Sequence, residues 1–113
     1  MAELDPNCTG QDHHDPVRFQ IDEEACQRAA DIFRALGDAA RLRLLVMLQT
    51  KEMCVTEIAQ QTSEQISTVS QRLRLLRSER LVSHRRDGKH VYYSLADEHV
   101  AQLVSNAMQH ALE

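Results

Sequence analysis

Asp87-Gly88-Lys89 lies between two short segments, Leu81–Arg86 and His90–Leu95, and leaves them one economical arrangement. Gly tolerates the positive φ of a tight turn, so the flanking segments are expected to fold back as a hairpin. Tyr92 and Tyr93 favour the extended state. The rest of the ordered chain reads as helix. Ala25, Ala29, Ile32, Phe33 and Leu36 fall on one helical face, with Asp22 as N-cap and Gly37 as stop. Asp38 caps a second helix carrying Leu42, Leu45, Val46 and Leu48. A short helix starting near Cys54 or Thr56 turns Val55, Ile58 and Ala59 inward. In Gln65–Arg77, Val69, Leu73 and Leu76 at i, i+4 and i+7 form a buried stripe. A last helix, from about Asp97 to Leu112, carries Val100, Leu103, Val104, Ala107, Met108 and Ala111.

The expected fold is therefore mainly α with a small β-hairpin. At 113 residues the chain suits one domain. Residues 1–20 are polar, carry Pro6, Gly10 and Pro16, and are expected to form a flexible arm; residues 21–113 form the domain. No apolar run approaches the roughly 18 residues of a membrane span. The acidic N-terminus lacks a basic segment followed by an apolar one, so a cytoplasmic protein without a membrane partner is expected. Three cysteines, an odd number, do not suggest a disulfide framework.

The net charge of −4 argues against nucleic acid until its distribution is considered. Residues 66–90 hold seven cationic side chains against Glu79 and Asp87, an excess of +5, so the remainder carries −9. A solvated helix face followed by a charged turn is the plain explanation. Helix, short helix, helix and basic hairpin, however, is the layout of a winged helix-turn-helix, whose second helix enters the major groove of double-stranded DNA. Ser67, Thr68, Ser70, Gln71, Arg72 and Arg74 lie on that helix, where hydroxyls, amides and guanidinium groups can reach bases or phosphates. Arg85, Arg86, Lys89 and His90 around the hairpin tip are placed to grip the backbone or minor groove.

A second constellation has metal-ligand chemistry. His99 and His110 are eleven residues apart, about 20° past three full helical turns, and so share a face. At about 1.5 Å rise per residue they stand some 16 Å apart, too far for one ion on one helix. Two copies of the helix packed antiparallel would bring Asp97 and His99 of one chain to His110 and Glu113 of the other. Two imidazoles and two carboxylates make a four-coordinate zinc site with no open position, better suited to sensing than to hydrolysis. Two solvent histidines and an N-capping Asp97 are the plain alternative. Cys8, His13 and His14 in the arm, with Cys54 and Glu57 in the short helix, form a looser group suited to soft or borderline cations. There a core thiol at Cys54 is the alternative. Cys26, on an apolar face, is expected to serve packing.

These residues resemble the ArsR/SmtB family of metal-sensing winged-helix repressors, most closely its zinc-sensing branch. The resemblance covers about residues 28–113. Ala35-Leu-Gly-Asp-Ala-Ala-Arg-Leu-Arg-Leu-Leu45 is similar to the family's Leu-x-Asp-x-x-Arg-Leu signature. Glu52-Met-Cys-Val-Thr-Glu-Ile58 resembles its metal box, Ser67–Arg77 its recognition helix and Gly88–Leu95 its wing. Asp97, His99, His110 and Glu113 match the branch's C-terminal helix pattern. The resemblance implies a homodimer, formed through N- and C-terminal helices, that binds a palindromic operator without metal and leaves it on binding zinc. It also implies a second site from Cys8, His13 or His14, Cys54 and Glu57. Two positions depart from the pattern: Gln71 replaces a common His, and Thr56 replaces the second Cys of a soft-metal box. Cobalt, nickel or cadmium as the effector, or a redox pair of Cys8 and Cys54, are the alternatives on the same scaffold. An enzyme or a zinc store is disfavoured: there is no Gly-rich phosphate loop, no His-Glu-x-x-His helix and no nucleophile elbow, and a store would leave the basic hairpin without purpose.

Overall fold

The computed structural model describes residues 20–113. Helix α1 spans Glu23–Leu36, and Asp22 caps it by accepting a bond from the Ala25 amide at 3.0 Å. Helix α2 spans Ala39–Leu48 and begins at Asp38, whose carboxylate accepts from the Arg41 amide at 3.0 Å. The side chain of Arg41 turns back the other way. Its Nε donates to the Ala35 carbonyl at 2.7 Å and its Nη2 to the Arg34 carbonyl at 3.2 Å. Both carbonyls lie in the last turn of α1, where the Arg34 one also accepts the Gly37 amide at 3.2 Å, so Asp38 starts one helix while Arg41 helps to finish the other. The Arg41 amide bond, with the nearby charges of Arg41 and Arg72, holds the Asp38 carboxyl below its ordinary 3.8.

Strand β1 is only Met53–Cys54, and helix α3 follows at once over Val55–Thr62. Ser63 takes a left-handed φ of 56° and turns the chain into α4, Ile66–Ser78. Strands β2 (Val82–Asp87) and β3 (His90–Leu95) form the hairpin, and α5 runs from Glu98 to Leu112 behind the Asp97 cap. The sheet order is β1-β3-β2, all antiparallel. The expected hairpin is present with its loop one residue shorter. Asp87 pairs with His90, so Gly88-Lys89 is the loop. Gly88 carries φ 61°, the pattern of a type II′ turn with Gly at its first central position. The third strand, β1, is an addition to the expected fold.

Leu45, Ile58, Leu73, Leu76 and Val104 are fully buried and lie in one core with Val69, Met53 and Leu81. The stripe expected on α4 is thus present. Leu44 belongs to the α2 core beside Leu45 and Leu48, while Leu42 and Val46 are only partly covered. The face of α1 differs from expectation. Ala29 and Phe33 are exposed, and Cys26, expected to pack, is exposed in this chain as well. The cause is geometric: α1 meets the domain mainly through its C-terminal end, where Ala35 is buried and Ile32 and Leu36 are partly buried.

Leu45→Ala is expected to destabilise the fold by roughly 2–5 kcal/mol in chemical denaturation, the usual cost of emptying a closed core site. Asp38→Ala should lower the melting temperature at neutral pH. Because the folded carboxyl is held below 3.8, its contribution is present above that value and is lost as pH falls through the depressed folded value. The gap between wild type and variant is therefore expected to close in acid melting curves.

Candidate DNA interface and candidate metal ligands

Burying Val69, Leu73 and Leu76 forces the opposite side of α4 outward. Ser67, Gln71 and Arg74 are exposed there, with Thr68 and Ser70 half-buried beside them. Arg72 is placed differently. Its Nη1 lies 2.6 Å from Glu64 Oε1, and both side chains are mostly covered, 24% and 28% exposed. Arg72 thus ties α4 to the turn before it.

On the hairpin, Arg86, Lys89 and His90 are exposed. Arg85 again has a partner within the chain. Its Nε donates to Glu52 Oε2 at 3.0 Å and its Nη2 to Glu52 Oε1. The guanidinium carbon stands 4.8 Å from the centre of the Tyr92 ring, the residue paired with Arg85 across the strands. The bond from Arg85 holds the Glu52 carboxyl below its ordinary 4.5, and reciprocally raises the Arg85 guanidinium. Sequence reasoning identifies neither Glu52 nor Glu64 as a partner. Glu52 is 33 residues from Arg85, and only the sheet brings them together.

On α5, Asp97 Oδ1 accepts the Val100 amide at 3.0 Å and lies 3.8 Å from His99 Nδ1. At the far end, His110 Nδ1 lies 3.4 Å from Glu113 Oε2. The histidine side chains are 94% and 89% exposed, so both ends are open to an outside partner. Among the described residues, no group of three or more His, Cys, Asp or Glu converges on one point. The expected ligands therefore occur as two pairs, one at each end of one helix. In the second candidate group, Glu57 is occupied by local structure. The Cys54 amide donates to Oε1 at 3.4 Å and Lys51 donates to Oε2 at 3.2 Å. The Lys51 bond first, and the Cys54 amide second, hold its carboxyl below the ordinary 4.5. Cys54, the N-cap of α3, is half-buried and a free thiol. Cys8, His13 and His14 lie outside the described residues.

The model of the family described as "Bacterial regulatory protein, arsR family" matches residues 38–84, from the α2 cap into β2. A Synechocystis protein described as a transcriptional repressor SmtB homolog is 46% identical over 98 residues, which cover 87% of this chain and 73% of that one. The chain belongs to the ArsR/SmtB family. A Staphylococcus aureus relative, described as a cadmium resistance transcriptional regulatory protein CadC homolog, is 38% identical, with 89% of this chain and 87% of the relative covered. The homodimeric winged helix-turn-helix DNA-binding domain of a Mycobacterium bovis protein superposes with a TM-score of 0.75 at 34% identity, covering 84% of this chain and 90% of that one.

As an ArsR/SmtB protein the chain is a DNA-binding transcriptional regulator and not an enzyme. The elements follow the winged helix-turn-helix order, with α3 and α4 as the helix pair and β2–β3 as the wing. No helix among the described residues is long and apolar enough to cross a membrane.

Proposed function

We propose that this ArsR/SmtB protein is a zinc-responsive repressor that holds a palindromic operator as a homodimer and leaves it when metal binds between the two C-terminal helices. The observation that carries this reading is the division of the ligands on α5. Asp97 with His99, and His110 with Glu113, are two preassembled halves, each carrying one imidazole and one carboxylate. One half cannot complete a tetrahedral site, and the other half on the same helix is some 16 Å away. A second chain packed antiparallel supplies the missing half twice over, by two-fold symmetry. Nitrogen and oxygen donors in that number suit zinc, and Asp97 Oδ2 is left for it while Oδ1 caps the helix. Apolar surface supports the dimer: Phe33 is 62% exposed and, with Leu36, Leu42, Leu103 and Ala107, lines an open groove between α1, α2 and α5. Reciprocity requires that if zinc weakens operator binding, operator weakens zinc binding equally.

Cadmium is a second reading, favoured by the likeness to the Staphylococcus aureus cadmium resistance regulator. The single thiol of Cys54 near Glu57, whose oxygens are already engaged, supports it less well. Cobalt and nickel would use the α5 ligands with added donors. The Cys8, His13, His14, Cys54 and Glu57 group stands as a proposed second site, and the cytoplasm as the proposed compartment.

His99→Ala or His110→Ala is expected to keep operator affinity and lose zinc-driven release in a fluorescence anisotropy titration; normal release by either variant would overturn the α5 site. Among the proposed DNA-binding residues, Arg86→Gln or Lys89→Gln should reduce the slope of log K against log salt by about 0.9 for each phosphate that the side chain no longer neutralises. Gln71→Ala should instead change the preferred sequence with the slope kept, because an amide reading a base edge releases no counterion.

A further inference from the structure

Arg85 has the right charge and place for a phosphate contact, yet its donors are already committed. Nε and Nη2 form a two-pronged contact with the Glu52 carboxylate, and Nη1 faces Asp87 at 3.9 Å. Its guanidinium carbon stands over the Tyr92 ring. Two carboxylates around one guanidinium leave that point of the wing with no surplus of positive charge. We propose that Glu52 and Arg85 are positioning residues that set the angle of the wing on the DNA-binding face, and that Arg85 makes no phosphate contact. This rests on the reading of the wing as an element that grips DNA.

The strand geometry shows why such a tie is needed. After Val82, every residue of β2 is exposed, so the outer strand has little core contact of its own. The body holds the hairpin through β3, and the third strand β1 pairs with β3 at only two positions, Met53 with Tyr93 and Cys54 with Tyr92. An isolated two-stranded ribbon is marginal, and here Val82, Tyr93 and Leu95 anchor only the base of the hairpin side that faces the core. Glu52 directly precedes β1, whereas Arg85 lies on β2 at the opposite edge of the sheet. Their contact spans β3 and fastens the outer strand to the body. A planar guanidinium meeting a carboxylate through two parallel bonds fixes orientation as well as distance, which a single ammonium does not. Arg86, Lys89 and His90, next along the ribbon, are then held at a defined position relative to α4.

The test uses the full chain and a duplex operator recovered by the wild-type protein from a random-sequence library, with affinity measured across a potassium chloride series. Glu52→Gln and Arg85→Gln are each expected to weaken binding severalfold with the wild-type salt slope. The double variant should be no weaker than either single one, because both remove the same ion pair. Arg85→Lys, which keeps the charge, should weaken binding like Arg85→Gln, and Arg86→Gln should lower the slope. Pure electrostatics gives the opposite sign for Glu52→Gln, since removing a negative charge beside DNA should tighten binding. Tighter binding by Glu52→Gln, rescue by Arg85→Lys, or a lowered slope in Arg85→Gln beside the same in Arg86→Gln overturns the tie alone. Unchanged slope and affinity in Arg86→Gln together with unchanged affinity in Glu52→Gln overturns the wing as a DNA-gripping element, and the tie's role with it. Thermal melting of each variant separates unfolding from a misplaced wing.

Discussion

The corner between the first two helices is held by reciprocal capping. Asp38 satisfies an amide at the start of α2, and Arg41, one turn later, satisfies two carbonyls at the end of α1. Each helix end thus gains a side-chain partner for part of its exposed backbone, and only Gly37 and Asp38 separate the two helices. The rest of the domain is assembled on that corner. From α2, Leu44, Leu45 and Leu48 enter the core that receives Ile58 of α3, the Val69, Leu73 and Leu76 stripe of α4 and Val104 of α5. The charge of Arg72 on α4 also reaches Asp38. A motif that reads as Leu-x-Asp-x-x-Arg is, physically, a joint.

Electrostatics on the wing and α4 are more economical than the raw charge count suggests. The basic block of residues 66–90 has an excess of +5, but Arg72 and Arg85 are each paired with an acid from outside it, Glu64 and Glu52. An excess of three remains for an outside partner. The two committed arginines serve the architecture, one tying α4 to the preceding turn and the other tying the hairpin to the body. Long-range attraction and local geometry thus fall to different members of the same block.

Most of the helices are legible in the sequence because their caps are local. Asp22, Asp38 and Asp97 each accept an amide three residues on, a pattern visible without tertiary structure. The α4 stripe is legible because helical periodicity alone specifies a buried face, and the shared face of His99 and His110 because their spacing on one helix is simple arithmetic. What stays hidden depends on partners far along the chain. Strand β1 is two residues long and exists only because β3 pairs with it. The Glu52–Arg85 contact follows from sheet register, and the loop shortens by one residue because Asp87 finds a strand partner in His90. Cys26 departs from expectation for a related reason: an apolar neighbourhood on a helix face does not say whether this chain covers that face.

The two imidazole–carboxylate pairs, proposed as metal ligands, stand at opposite ends of α5, each open to solvent. If a second copy completes them, metal occupancy and subunit association become one equilibrium. Such a regulator would respond to its own abundance as well as to the ion. When copies are scarce, dilution alone would raise the metal concentration needed for a response, and any variant that loosened the pairing would blunt sensitivity without altering a single ligand. A repressor that also limited its own synthesis would then be adjusting its detection threshold, with the length of one helix setting the link between the two.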